Sequence, residues 1–148
     1  PDFKHICNEG LVHRLPKVNH PVYYGGPILT NVVGVLHSTD FILSSTNTLT
    51  EDKVGFTLDR KMLEVIARGQ GPKNMLITLG MANWTTGQLE EELEHPRSPA
   101  MSWLIMDYDE KFVFGQLDED KPDELWESCV SQAIRNKTQE ITSKIFKD

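Results

Sequence analysis

The stretch that decides the fold of this chain is Met75-Leu76-Ile77-Thr78-Leu79-Gly80-Met81-Ala82-Asn83-Trp84-Thr85-Thr86-Gly87-Gln88-Leu89-Glu90-Glu91-Glu92-Leu93. Its first part is a short apolar run bounded by turn-forming residues, with Gly71-Pro72 before it and Gly80 after it. Such a run is typical of a buried strand. The stretch therefore predicts a strand from Met75, a tight turn at Gly80 and a short helix beyond Trp84.

That short helix carries start and stop signals of its own. Thr85 as N-cap with Gln88 three residues later forms a capping box, and Trp84 and Leu89 have the spacing of a hydrophobic staple. The dipeptide His95-Pro96 ends the helix, because the residue before a proline is pushed out of the helical region. The local signals therefore agree on a helix that starts at Thr85.

Two further helices follow from caps and apolar stripes. One begins at Asp59, buries a stripe that includes Met62, Ile66 and Ala67, and ends at Gly69. The other is the last helix, which begins near Pro122 with acids in its first turn, carries an apolar stripe that includes Ile134, and is expected to break near residue 136. Its far end packs within the chain or meets a second subunit.

The remaining elements are short strands separated by polar segments, of which residues 44–48 form a polar edge or loop. Alternation and β-branched or aromatic content predict these strands at 21–24, 32–38, 40–43, 54–57, 101–108 and 111–116. Several short strands with three helices indicate an α+β or mixed α/β domain.

Length and composition are those of an ordinary globular domain. The chain has 148 residues, of which 39% are hydrophobic and 25% are charged, so one domain with a real core is expected. No apolar run approaches the ~18 residues of a membrane span, and no signal peptide is recognised. Two cysteines are too few for a disulfide framework. We therefore expect a cytoplasmic protein that contacts no membrane.

The charge balance argues against direct nucleic-acid binding. The chain carries 15 Lys and Arg against 22 Asp and Glu, a formal net charge of −7. Nucleic-acid binding depends on clustered basic residues, and the basic residues here are scattered. The acids cluster at 90–94 and 118–124, where they form either a solvated face or a docking surface for a basic partner.

The turn Gly25-Gly26-Pro27 admits two interpretations. Bare backbone N–H groups of the two glycines could cradle an anion or a ligand carbonyl. Alternatively, the glycines allow a chain reversal or a close approach of two backbones. A phosphate-binding loop would need more glycines and a following Lys-Ser or Lys-Thr, which this turn lacks.

No strong catalytic motif is present in the sequence, which has neither a Gly-x-Ser-x-Gly elbow nor a His-Glu-x-x-His pair. His37, on a predicted strand, is better explained as a packed or hydrogen-bonded residue than as a ligand. Cys7 is better explained as a buried thiol than as a nucleophile. Glu90 and Glu94 lie one helical turn apart and could hold a cation or transfer protons, or could simply be solvated.

One signature sequence runs through the stretch quoted first. Gly80-Met81-Ala82-Asn83-Trp84 followed by Gly87-Gln88-Leu89-Glu90 resembles G-Y-A-x-W-x-x-G-Q-L-E, with Met81 in place of Tyr. Four other pieces occur in register with it, namely Tyr24-Gly25-Gly26-Pro27-Ile28, Leu36-His37-Ser38, Ser102-Trp103-Leu104 and Leu125-Trp126. Together these motifs resemble the AlgH/YqgE family of bacterial proteins over about residues 1–130.

The resemblance implies a fold and carries a label. It implies an α+β fold whose branched, mostly antiparallel sheet curls into a pseudo-barrel flanked by helices, in a single domain over residues 1–148. It also carries the family's label of transcriptional regulator. The pieces before about residue 21 lie closer together than in the family, so we expect the N-terminal strands to be incomplete here.

We therefore predict a non-catalytic binding or regulatory protein that acts through an unknown protein or small-molecule partner, without a cofactor or metal, as a monomer or weak dimer. The alternative is an enzyme of hydrolase or metal-assisted phosphoryl-transfer type that uses Gly25-Gly26-Pro27 and residues 84–92. The candidate binding residues are Tyr24, Gly25, Gly26, Pro27, Trp84, Gly87, Gln88 and Glu90.

Overall fold

The computed structural model describes residues 20–95, 103–115 and 122–145. The chain divides into two compact units, Pro1–Asn83 and Trp84–Asp148, and each is described by itself. The predicted N-terminal pieces, including Cys7, lie outside the described residues. The prediction of a single domain stays a prediction.

The first unit contains a five-stranded sheet. Its strands are β1 (Val22–Tyr24), β2 (Ile28–Ser38), β3 (Asn47–Leu49), β4 (Val54–Thr57) and β5 (Met75–Met81). The order across the sheet is β1-β5-β2-β4-β3. Only β1 pairs in parallel with β5, and the other three pairs are antiparallel. The predicted α+β class and the mostly antiparallel sheet are confirmed.

The sheet is open among the residues that the structure describes. β1 and β3 lie at its two edges, so the five strands do not close into the pseudo-barrel that the resemblance implied. β5, the strand predicted from Met75, lies between β1 and β2 and pairs with both. β5 therefore connects β1, its parallel neighbour, to the antiparallel strands of the sheet.

Helix α1 (Arg60–Ala67) covers one face of this sheet. The predicted cap is confirmed, because the Asp59 side chain accepts a hydrogen bond from the backbone N–H of Lys61. That hydrogen bond, with one from the Ser45 hydroxyl, lowers the pKa of Asp59. The core consists of the buried stripe of α1 packed against three strand residues: Met62, Ile66, Ala67, Val22, Val35 and Ile77. Because α1 and the strands bury the same apolar surface, they fold as one layer pair.

Two predicted features of the first unit are wrong in detail. Residues 40–43 form no strand, because Asp40 turns the chain by accepting hydrogen bonds from Ser38 and from the Lys73 N–H. β2 begins at Ile28 rather than at residue 32, across a register shift in which Leu29 takes a positive φ of 52°. β3, at 47–49, overlaps the segment predicted as a polar edge or loop, and it lies at one edge of the sheet.

The second unit contains three helices among its described residues, α2 (Gln88–Glu94), α3 (Glu110–Phe114) and α4 (Pro122–Ile145). α3 lies where a strand at 111–116 was predicted, and Asp109 caps it by accepting from the Lys111 N–H. The strand predicted at 101–108 is also wrong for its described part, because residues 103–108 are irregular. α4 continues unbroken through Asn136.

Candidate functional site

The two glycine motifs of the first unit pack backbone against backbone. The Gly25 N–H donates a hydrogen bond of 2.8 Å to the carbonyl oxygen of Leu79. A Cβ added to Gly25 would overlap the carbonyl oxygen of Gly80, and one added to Gly26 would overlap the backbone of Met81. Gly80 has a φ of 75°, and its own added Cβ would overlap the carbonyl oxygen of Gly26. These glycines are therefore required where two chain segments touch.

Exposure varies along this turn, and among its residues only Gly26 is buried. Gly26 is buried, whereas Tyr24 and Pro27 are exposed, and 74% of the Tyr24 side chain is accessible to solvent. Because the Gly25 N–H is already used by Leu79, it is not offered to an anion. The turn therefore exposes the aromatic side chain of Tyr24 to solvent, and the Gly25 N–H takes no part in an anion-binding cradle.

His37, from the Leu36-His37-Ser38 motif, is fully buried and takes part in a chain of hydrogen bonds. Its Nδ1 is 2.9 Å from the Ser38 carbonyl oxygen, which can only accept, so Nδ1 carries the proton of the neutral ring. Nε2 then accepts from the Thr57 hydroxyl at 2.9 Å. The Thr57 oxygen accepts from the Thr46 hydroxyl, which in turn accepts from the Leu43 N–H. The interpretation of His37 as a packed, hydrogen-bonded residue agrees with this arrangement.

Ser38 of the same motif ties the end of β2 to the start of β5. Its backbone N–H donates to the carbonyl oxygen of Asn74, its hydroxyl oxygen accepts from the Asn74 N–H at 3.1 Å, and its hydroxyl donates to Asp40. The Ser38 hydroxyl, followed by the Lys73 N–H, lowers the pKa of Asp40. The motif therefore serves the sheet through both side chains, since His37 links β2 to β4 and Ser38 links β2 to β5.

The predicted N-cap of α2 is wrong by two residues, because Gly87 and not Thr85 occupies that position. The helix begins at Gln88 after Gly87, which has a φ of 82°, and Thr85 does not cap it with its side chain. The Gln88 N–H donates instead to the Thr85 carbonyl oxygen, and Gln88 Oε1 accepts from the Thr85 N–H at 3.1 Å. The bond from the Thr85 N–H to the Gln88 side chain, which is half of the predicted capping box, therefore forms, but it closes a turn. Gly87 permits that turn because glycine reaches positive φ without strain.

Trp84 makes specific contacts inside the second unit. Its ring meets that of Trp103 edge to face, with centroids 5.7 Å apart. Its Nε1 donates to Glu92 at 3.4 Å, and Glu92 also lies 3.5 Å from Gln88 Nε2. Glu90 projects from the same helix with its side chain exposed. Trp84 and Gln88 thus support α2, whereas Glu90 is open to solvent.

An apolar groove lies elsewhere in the second unit, and the sequence did not point to it. Its volume is about 460 Å³, within the ~300–1,000 Å³ typical of ligand sites. The irregular segment and two helices line it, with Ala133 as a buried part of its wall. We call this the apolar groove and define it by Leu93, Trp103, Leu104, Ile105, Ile134 and Lys137.

The apolar side chains that line the apolar groove are exposed to solvent. Ile105 is 74% exposed and Ile134 is 57% exposed. Singly exposed apolar residues are normal, but contiguous apolar patches around a concavity mark interaction sites. Sequence reasoning missed the groove because residues 103–105 were assigned to a strand and residue 134 to a core stripe.

Neither a cluster of metal-ligating side chains nor a helix able to span a membrane is found among the described residues. Among residues 20–95, 103–115 and 122–145, no three His, Cys, Asp or Glu side chains lie close enough together to hold a metal ion. Within those ranges no helix combines the length and apolar character of a membrane span.

Comparison with known proteins gives a consistent assignment. A family model described as AlgH-like matches residues 3–137. A UPF0301 protein of Bradyrhizobium sp. is 40% identical over 102 residues, which are 69% of this chain and 45% of that protein. A UPF0301 protein of Thiobacillus denitrificans is 36% identical over 100 residues, 68% of this chain and 51% of that protein. The chain therefore spans about half the length of these curated relatives.

One solved structure is similar along most of the chain. It is the solution structure of the AlgH protein from Pseudomonas aeruginosa, with a TM-score of 0.63 and 27% sequence identity. The similarity covers 89% of this chain and 66% of that protein.

Proposed function

The chain belongs to the AlgH-like family, and on that premise we propose that it is a non-catalytic binding protein whose effect is regulatory. The observation that carries the proposal is the apolar groove, whose side chains are exposed around a concavity of ligand size. Exposed apolar patches of this kind are typical of surfaces that bind a partner. In this proposal the groove is the binding surface.

The non-catalytic part of the proposal is supported by how the motif groups are used. The Gly25 N–H bonds Leu79, the His37 ring bonds Thr57, and the Gln88 side chain bonds the Thr85 N–H. Each of these groups is engaged inside its own unit and helps to build it. Motif residues with such internal partners are explained by folding, without a reaction.

The regulatory part rests on the family label. We propose that the protein acts in the cytoplasm and affects transcription through a partner, as a monomer or weak dimer. Direct contact with DNA is disfavoured by the formal net charge of −7. Binding by the sequence-derived candidates stays a prediction, and Tyr24 and Glu90 are the exposed side chains at which to test it.

The test is binding of Nile red, an uncharged apolar dye, followed by its fluorescence. We expect Ile134→Glu to weaken binding about tenfold, a loss of ~1.4 kcal/mol, because it places a carboxylate in the groove. Leu49→Glu is the matched control, since Leu49 is an exposed leucine of β3 in the other unit. Equal binding by both variants, or no binding by the wild type, would contradict the proposal.

A further inference from the structure

Among the described residues that line the apolar groove, Lys137 alone is charged. It follows Ala133, the buried part of the wall, by one turn of α4, roughly 5.4 Å along the helix axis. Its ammonium group has no ion-pair partner among the side chains that the structure describes. A lysine stem lies along apolar surface while its ammonium group stays in water. Lys137 therefore adds an unpaired positive charge to an otherwise uncharged groove.

The free space continues beside Lys137 into a second hollow. This hollow has a volume of about 500 Å³ and shares Ile105 and Lys137 with the apolar groove, but Asn136 and Asp107 also line it. The side-chain oxygen of Asn136 accepts a hydrogen bond from Gln132 at 2.9 Å, which leaves the amide N–H groups as donors for another molecule. The lining therefore changes near Lys137 from apolar residues to a set that includes an amide and a carboxylate.

We propose that the apolar groove binds a free medium-chain fatty acid, with its alkyl tail against Trp103 and Ile134 and its carboxylate against the Lys137 ammonium group. Sites for small ligands are mostly apolar, and a small number of polar groups fix the orientation of the ligand. The apolar groove has this composition, in a volume of about 460 Å³. This inference rests on the proposed function, because it names the ligand of the same groove.

The charges around the groove favour a head group with a single negative charge. One lysine balances one carboxylate, whereas a neutral head group gains no attraction from Lys137. A doubly charged phosphate would exceed the charge of Lys137 and would be repelled by Asp107, which lines the adjoining hollow. The decisive comparison is therefore between ligands that have the same tail and different head groups.

The experiment is displacement of Nile red from the whole chain by decanoate and by decanol, at neutral pH and below the concentration at which decanoate forms micelles. We expect Lys137→Gln to weaken decanoate binding about threefold to fivefold, because the ion pair is lost. Decanol binding is expected to stay unchanged, since glutamine keeps an unbranched stem along the groove. The fluorescence of the displaced dye gives both dissociation constants.

Lys111→Gln is the matched control. Lys111 is an exposed lysine of α3, in the same unit but outside the groove, and its substitution makes the same change in net charge. We expect it to leave the binding of both ligands unchanged. Equal weakening of decanoate by the two substitutions, or equal weakening of decanoate and decanol by Lys137→Gln, would overturn the inference.

The alkyl tail is tested by shortening it. Replacing decanoate by octanoate is expected to weaken binding about tenfold, because each buried methylene group contributes roughly a factor of four to affinity. Equal binding of the two acids would overturn the placement of the tail in the groove. Tighter binding of decyl phosphate than of decanoate would overturn the assignment of a singly charged head group.

The two proposals can fail separately. Nile red that binds to the groove but is not displaced by decanoate would overturn the inference and leave the groove as a site for another ligand. Failure of Nile red itself to bind would overturn the proposed function as well.

Discussion

Gly80→Ala is expected to destabilise the folded protein by about 4 kcal/mol or more, a large share of the ~5–15 kcal/mol by which a typical domain is stable. Gly80 has a φ of 75°, where an L-residue with a Cβ costs roughly 1–2 kcal/mol. The larger part of the effect comes from the backbone, because the new Cβ would overlap the carbonyl oxygen of Gly26. A backbone atom cannot rotate away, so the turn at Gly25 and Gly26 must move.

Gly69→Ala is the matched control for this prediction. Gly69 also has a positive φ, 70°, and belongs to the same unit, but an added Cβ there meets no atom within 4 Å. We expect it to cost only the conformational strain of roughly 1–2 kcal/mol. Urea unfolding of both variants measures the difference. If the two substitutions cost the same, then the backbone contact between the glycine motifs does not stabilise the fold.

Thr57→Val is expected to cost about 1–3 kcal/mol, although valine has nearly the shape of threonine. The substitution removes the hydroxyl that joins His37 Nε2 to the Thr46 hydroxyl, and Thr57 and His37 are both fully buried. A buried acceptor and a part-buried donor are then left unpaired, and that desolvation is the main cost.

Thr30→Val controls for the loss of a hydroxyl alone. Thr30 lies on β2 with its side chain exposed, so we expect a change within about 0.5 kcal/mol. The free energy of unfolding of each variant, from urea titration, decides the comparison. A Thr57→Val protein as stable as the wild type would show that the hydrogen-bond chain contributes nothing net.

Sequence signals predicted the elements that are determined by nearby residues. The strand at β5 was identified because its apolar run is bounded by Gly71 and Gly80, and α1 was identified because Asp59 supplies a cap and Met62 and Ile66 an apolar stripe. In both cases the residues that carry the prediction lie close together in the sequence, within one strand or about one helical turn. The sheet order was not predicted, since pairing between distant strands leaves no local pattern.

The errors have equally local causes. The start of α2 was misplaced because the Thr85 and Gln88 spacing satisfies a capping box, whereas Gly87 imposes a left-handed turn between them. α3 was taken for a strand because five residues are too few for helical periodicity, even though Asp109 is a good cap.

The candidate site could be predicted only in part. The glycine motifs were recognised with both interpretations, and the close approach of Gly26 to the Met81 backbone agrees with the second, while binding there stays a prediction. The apolar groove forms because residue 103 lies near residue 134 in space. The two residues are far apart in the sequence, and a periodic pattern of apolar residues gives no information about such a contact. Ile134 belongs to the predicted apolar stripe of the last helix, and its apolar character suggested burial, whereas it is an exposed wall of the apolar groove.

The most direct test of where this protein binds is chemical-shift mapping by NMR during titration with benzyl alcohol, a small soluble apolar probe. We expect amide shifts to concentrate at the apolar groove, around Leu93, Ile105 and Ile134, because these side chains offer exposed apolar surface. Shifts that instead concentrate at Tyr24 and Gly25 would contradict the account, since they would place the binding surface at the glycine turn that we assign to folding.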